Sequence, residues 1–315
     1  MSLMKKQKQK NIYWKIKYIT SIMCVLSIAL LCFGCGSDNK KASDESQIVT
    51  TSKEEDTNND SNKDTSKDSN KDNDNTKSSS EDSDTPAFIN KYIEQQRAHQ
   101  TPEGADGKKV AYLTFDDGPS TTVTPKILDI LKEKGVHATF FTVGKYVDSG
   151  EESKKLIERI NNEGHAIGIH TYTHNYDILY PMKSDGKRYA NADNIMSEIN
   201  KTKKSLQSIL GSDFNTSAVR LPGGHMSWKG LEETDKRFVE QGYHSIDWNE
   251  MTGDAEGKGK KTPDQLLNFL KSQHQYEKAI ILMHDTYGKE NTATALPNVI
   301  DYLKEQGYTF KTIKD

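Results

Sequence analysis

The chain has 315 residues, with 43 Lys plus Arg against 46 Asp plus Glu and a hydrophobic fraction of 33%. Near-balanced charge excludes a basic nucleic-acid-binding surface. All three cysteines, Cys24, Cys32 and Cys35, lie near the N-terminus, so the rest of the chain carries neither a disulfide framework nor thiol redox chemistry.

The first segment, 1–36, opens with Lys5, Lys6, Lys8, Lys10, Lys15 and Lys17, followed by an uncharged apolar run over 18–34. A basic stretch ahead of an apolar one predicts a signal peptide or signal anchor, with the remaining chain exported. As a helix the run spans about 25 Å, short for a bilayer. Two outcomes stay open beside full release: an uncleaved membrane anchor, or cleavage before Cys35 and lipidation of that cysteine. Residues 37–85 are almost entirely Ser, Thr, Asp, Asn, Lys and Glu. Such a segment cannot offset the entropy of ordering and is predicted to be a disordered spacer. Fully extended it reaches about 160 Å, which suits a tethered domain working on a large insoluble mesh.

A lead-in segment over 86–108 holds a short helix at 88–97, and the pattern then becomes regular. Strands are predicted at 110–115, 138–143, 165–169, 218–221, 244–247, 279–283 and 308–313. Helices are predicted between them at 125–134, 151–162, 191–210, 232–241, 263–271 and 295–305. Strands near six residues alternating with longer helices predict parallel βα units in an α/β domain over 109–315. Either an irregular barrel or an open doubly wound sheet fits that order. Function then belongs just beyond the C-terminal strand ends. Asp116 and Asp117, His170, Arg220, Asp247 and His284 all fall at such ends.

In Thr114-Phe115-Asp116-Asp117-Gly118-Pro119 two carboxylates stand side by side at a strand end. One can bind a metal while its neighbour handles protons; as a bare like-charge pair they would be costly. His170-Thr171-Tyr172-Thr173-His174 supplies imidazoles at i and i+4, which share one face if the segment turns helically. Asp117, His170 and His174 form an Asp-His-His set with open positions. It suits one divalent cation, Zn²⁺ first, with Co²⁺, Mn²⁺ or Fe²⁺ also compatible.

These residues resemble the polysaccharide deacetylase family, the group with the NodB homology domain (carbohydrate esterase family 4). The resemblance runs over roughly 109–313. It rests on Thr114 to Pro119, on His170 to His174, on Arg220-Leu221-Pro222-Gly223-Gly224, on Asp247-Trp248 and on Leu282-Met283-His284-Asp285. The resemblance implies a deformed (β/α)₇ barrel. It implies Asp116 as general base, Asp117 as metal carboxylate, His284 as general acid and Arg220 as the ion-pair partner of Asp116. Asp247 would orient and charge His284. The N–H of Gly223 would serve the oxyanion, and Trp248 would line the acetyl pocket beside Leu282.

The third motif of that family often carries an aromatic where Gly223 stands, so Trp228 or Tyr172 is expected to shape the substrate pocket. His225 is expected to have a loop role, Asp254 to shape a rim loop, and the 176–192 insertion to be either a glycan grip or a solvated loop. The function implied is removal of acetyl groups from peptidoglycan N-acetylglucosamine. Alternatives are poly-N-acetylglucosamine or chitin deacetylation, xylan O-acetyl esterase activity, or non-catalytic glycan binding. The partners expected are a cell-wall or extracellular glycan and, through the N-terminal segment, a membrane; no nucleic acid or protein partner is implied.

Overall fold

The computed structural model describes residues 82–315. The expected signal or anchor at 1–36, Cys35 included, and the spacer up to 81 lie outside the described residues. The described residues include the last part of the expected spacer, 82–85. Strand β1 (Ser83–Asp84) pairs in parallel with β10 (Thr312–Ile313). Asp84 is fixed there by the hydroxyl of Tyr112, which donates to its carboxylate, and by Lys311 at 3.2 Å.

Helix α1 (Pro86–Arg97) begins on Thr85, whose hydroxyl caps the Phe88 N–H. Then come β2 (Val110–Asp116), α2 (Thr124–Lys134), β3 (Thr139–Thr142), α3 (Gly144–Val147), α4 (Glu151–Asn162) and β4 (Ala166–Ile169). They are followed by α5 (Tyr176–Leu179), α6 (Ala192–Leu210), β5 (Ala218–Val219), α7 (Glu232–Gln241), β6 (His244–Ser245) and β7 (Glu250–Met251). Last come α8 (Pro263–Gln273), β8 (Lys278–His284), α9 (Glu290–Glu305), β9 (Thr309–Phe310) and β10. The boundaries have local causes. Pro263 opens α8 behind a Thr262–Gln265 capping box, which satisfies N–H groups that a helix start leaves free.

The main sheet is parallel, in the order β6-β5-β4-β3-β2-β8-β7, with β9 beside the first residues of β2. It is an open, curled half-barrel, in line with the deformed (β/α)₇ barrel expected. The single last strand expected at 308–313 is divided, because β9 pairs with β2 while β10 pairs with β1.

The period of two along the strands sorts residues into two apolar layers. On β2 and β8, Ala111, Leu113, Phe115, Ala279, Ile281 and Met283 face the helices and join the larger core. The alternate residues Val110, Tyr112 and Ile280 point into the barrel with Phe141 and Ile246. Ile89 and Ile93 of α1 complete this inner cluster. The lead-in helix therefore fills the barrel interior where edge strands β6 and β7 leave a seam. Burying each isoleucine contributes about 1.5–3 kcal/mol. Continued upward, the inner alternation delivers Thr114 and Asp116 from β2 and Leu282 and His284 from β8 to one rim.

Candidate active site

Asp116 and His284 are Cα partners at the last rung of the β2–β8 ladder. Side chains at that rung point the same way, so base and acid candidates start as neighbours. Asp117 then leaves the strand with a φ of 70°, an uncommon conformation for a residue with a side chain. It sends the second carboxylate toward β4 instead of behind the sheet. The turn depends on Gly118, because a Cβ there would lie 2.2 Å from the Asp285 carboxylate. That buried carboxylate accepts from Thr124 Oγ1 at 2.6 Å. Burial, helped by Asp117 and Asp116, pushes Asp285 up to about 7 against the hydrogen bond from Thr124.

Asp117 Oδ1 lies 3.4 Å from His170 Nε2 and 3.2 Å from His174 Nε2. One ligand atom from each of the three residues falls within 4.8 Å of the others. The donor chemistry fits a divalent cation. Asp117 Oδ1 is buried with no hydrogen-bond partner, an arrangement that is costly unless something cationic satisfies it. His170 Nδ1 sits 2.7 Å from the Arg220 carbonyl. It must donate there, which leaves the Nε2 lone pair for a metal. Burial, together with neighbouring His170, pushes His174 down to about 4, so it is a neutral imidazole suited to ligation.

The segment carrying both histidines is not a regular helix. Thr171 and His174 both have positive φ, at 60° and 53°, and strain of this kind persists only where surroundings hold it. Glu198 of α6 does this. Its buried carboxylate accepts the N–H groups of Tyr172 at 3.2 Å and Thr173 at 3.0 Å, and the Thr173 hydroxyl. Thr202 Oγ1 donates to the Thr171 carbonyl at 2.8 Å. Glu198→Gln is expected to weaken metal affinity about 10–100-fold, read by competitive zinc titration; an unchanged Kd would remove Glu198 from that role.

Asp116 is held by Arg220, whose Nη1 donates to its Oδ1 at 2.7 Å. Arg220 is fully buried and also donates to Thr114 Oγ1, the Ile246 carbonyl and the Asp247 carbonyl. Its guanidinium lies 4.1 Å from the Phe141 ring centroid. Breaking such a buried pair from one side costs about 3–5 kcal/mol. On the other flank, His284 Nδ1 sits 2.8 Å from Asp254 Oδ1. Asp254 Oδ2 accepts the His284 N–H and the Thr292 hydroxyl, each at 2.8 Å. Burial disfavours charge on His284, but the Asp254 carboxylate, with Asp116 and Asp117, outweighs it and raises the imidazole to about 9. His284 is therefore protonated at neutral pH.

A family profile described as polysaccharide deacetylase matches residues 103–236. The peptidoglycan-N-acetylmuramic acid deacetylase PdaA of Bacillus subtilis is 36% identical over 72% of this chain and 78% of its own length. A Bacillus cereus peptidoglycan-N-acetylglucosamine deacetylase is 35% identical over 67% of this chain and 72% of its own. The solved structure of a Streptococcus mutans CE4 esterase superposes with a TM-score of 0.65 at 36% identity, covering 74% of this chain and 93% of that one. The chain belongs to the polysaccharide deacetylase family. With the Asp-His-His cluster in place, it is a metal-dependent polysaccharide deacetylase.

Against what that family predicts, the structure reassigns one role outright. Asp247 does not orient His284; Asp254 does, from the loop after β7. Asp247 instead accepts from Arg97 at 2.6 Å and from the His225 N–H at 2.9 Å. Tyr172 is also placed away from a substrate role. Its ring lies under the Lys201 ammonium and against Gly144, and its hydroxyl donates to Asp148 at 3.1 Å. Trp248 packs on the inner apolar cluster and against Gly224, and Leu282 is buried one turn of the pleat below His284.

The aromatic wall beside the metal cluster comes from other residues. Trp228 stacks on Tyr180 at 3.9 Å and meets Tyr176 at 5.0 Å, and Tyr176 lies 5.5 Å from the His174 ring. Gly223 has a φ of 80°, and a Cβ there would lie 2.9 Å from the Trp228 ring. Glycine and the displaced aromatic are thus one solution. His225 bonds Asp235 at 2.7 Å. In the 176–192 insertion, Arg188 is taken up by Asp177 and the Tyr180 carbonyl, and Lys183 lies over Tyr189.

Proposed function

We propose that this deacetylase hydrolyses N-acetyl groups of peptidoglycan N-acetylglucosamine, releasing acetate, at the outer face of a bacterial membrane. The observation that carries the reading is the placement of Asp116 and of His284, with its Nδ1 on the Asp254 carboxylate, on adjacent strands flanking the Asp117–His170–His174 cluster. Two relatives named for peptidoglycan, one for each amino sugar, support the substrate class.

Asp117, His170 and His174 would hold the cation, with Zn²⁺ the proposed native metal for this nitrogen-and-carboxylate set. A divalent cation bound there supplies Lewis-acid polarisation of the acetyl carbonyl and a water of lowered pKa. Asp116, oriented by Arg220, takes the proton from the attacking water. The Gly223 N–H donates to the developing oxyanion. His284 then gives its proton to the amide nitrogen as the C–N bond breaks, since an amine must be protonated to leave. Trp248 and Leu282 are proposed to bound the acetyl methyl. The N-terminal segment, as a spanning helix or through a lipidated Cys35, would tether the domain, with the polar residues from 37 onward as spacer.

The test incubates metal-loaded protein with peptidoglycan, chitooligomers, poly-N-acetylglucosamine and acetylxylan, and measures acetate with mass analysis of the sugars. Mass loss on the glucosamine of peptidoglycan is expected to dominate. Loss confined to muramic acid, or to another polymer, would replace the substrate assignment.

A further inference from the structure

The loop 222–225 is built tightly. The Gly224 N–H donates to the Leu221 carbonyl at 2.8 Å, Trp228 Nε1 donates to the Pro222 carbonyl at 2.8 Å, and Ser227 Oγ donates to the Gly223 carbonyl at 2.6 Å. Its far end rests on a charge. Asp247 Oδ1 accepts the His225 N–H, and a Cβ on Gly224 would sit only 3.5 Å from that oxygen. Asp247 is itself nearly fully buried, at 3% exposure. A lone carboxylate there would be strongly disfavoured. Its other oxygen is met by Arg97 Nη2 at 2.6 Å. Arg97 is the last residue of α1, 150 residues away in sequence and outside the span matched by the family profile, 103–236. Asn249 Nδ2, two residues past Asp247, donates to Gln96 Oε1 at 3.1 Å, so the helix end grips this crossing at two points.

We propose that Arg97 is a positioning residue of the catalytic centre: it neutralises buried Asp247, which anchors the loop that presents the Gly223 N–H. The lead-in helix thus belongs to the active site and is more than the end of a tether. The inference rests on the proposed oxyanion role of Gly223. Without Arg97, the buried Asp247 carboxylate loses its ion-pair partner and must turn toward water. That loosens its hold on the His225 N–H and shifts the adjacent donor. Displacements near 1 Å in such groups cost turnover steeply. The metal cluster hangs on Glu198 and the Arg220 carbonyl, so it should not feel the change.

The experiment uses the full chain and compares wild type with Arg97→Gln, Arg97→Lys, Asp247→Asn and the Arg97→Gln/Asp247→Asn double variant. Arg97→Gln is expected to lower kcat on an N-acetylated oligomer about 10–100-fold, with KM and zinc affinity nearly unchanged. Arg97→Lys should restore much of the loss, and the double variant should be no worse than Arg97→Gln, because the charge leaves with its partner. Hydrogen exchange supplies a readout independent of activity: the peptide 222–226 should exchange about tenfold faster in Arg97→Gln while 170–174 stays unchanged. Unaltered exchange at 222–226, or kcat within twofold of wild type, overturns the proposal. So does a loss of kcat matched by equal losses of zinc affinity and folded fraction. Wild-type protein that releases no acetate from any substrate sinks the function reading instead, and the exchange result still decides the role of Arg97.

Discussion

Asp116→Asn is expected to keep its metal and lose turnover by about 10²–10⁴-fold, whereas Asp117→Ala is expected to lose both metal and activity. The two carboxylates are adjacent in sequence, yet the backbone separates their work. Asp116 ends the strand at the last β2–β8 rung and is clamped by Arg220 at 2.7 Å. Asp117 turns at positive φ toward two imidazole nitrogens and leaves a buried oxygen without a hydrogen-bond partner. Zinc content after dialysis, measured beside acetate release, separates the two. A metal-loaded and fully active Asp116→Asn protein would falsify the base assignment.

His284→Ala is expected to cost far more on an amide substrate than on an activated ester, by about 10²–10⁴-fold for the amide. An activated alkoxide leaves without help, while an amine does not. Asp254 sets the pH range of this step. It raises His284 to about 9, so the protonated acid is present at neutral pH and is lost as pH rises through that value. Removing the carboxylate takes away the stabilisation of the charged form. Asp254→Asn should therefore move the alkaline limb of kcat down toward the ordinary histidine value of about 6.5. An alkaline limb that stays in place would show that the acid is another group. Equal losses of ester and amide turnover in His284→Ala would do the same.

Much of this centre was legible in the sequence because strand ends carry it. Apolar runs marked β2, β4 and β8, and the polar residue that stops each run is Asp116, His170 or His284. The metal triad followed from type and spacing. Asp254 was misjudged for a physical reason. Its strand, β7, is two residues long and includes Glu250, which is fully buried and accepts from the N–H groups of Gln275 and Tyr276. A buried, paired glutamate does not read as a strand, so Asp254 reads only as part of a rim loop.

Asp247 received the assignment through the family resemblance of Asp247-Trp248, at a position where a strand was expected to end. In fact β6 ends at Ser245, and Asp247 lies in the crossing toward β7 where α1 covers the seam. Glu198 was invisible for a related reason: a charged residue in an amphipathic helix normally marks the solvent face, and only the folded histidine loop gives it partners. Trp228 is one of the two aromatics expected to stand in for the one missing at Gly223; Tyr176 joins it through contacts between separate loops, which no local pattern records. Tyr172 was expected at the substrate as a replacement for the aromatic missing at Gly223, but the positive φ of Thr171 turns that stretch against α3 and α6.

The most direct test of the account is an anomalous difference map from crystals grown with zinc, recorded on both sides of the zinc edge. One peak is expected, about 2.0–2.2 Å from a carboxylate oxygen of Asp117 and from Nε2 of His170 and of His174, with Asp116 and His284 flanking it and ligating nothing. A peak held by other residues, or by Asp116 in place of Asp117, would contradict the division of labour on which the proposed chemistry depends.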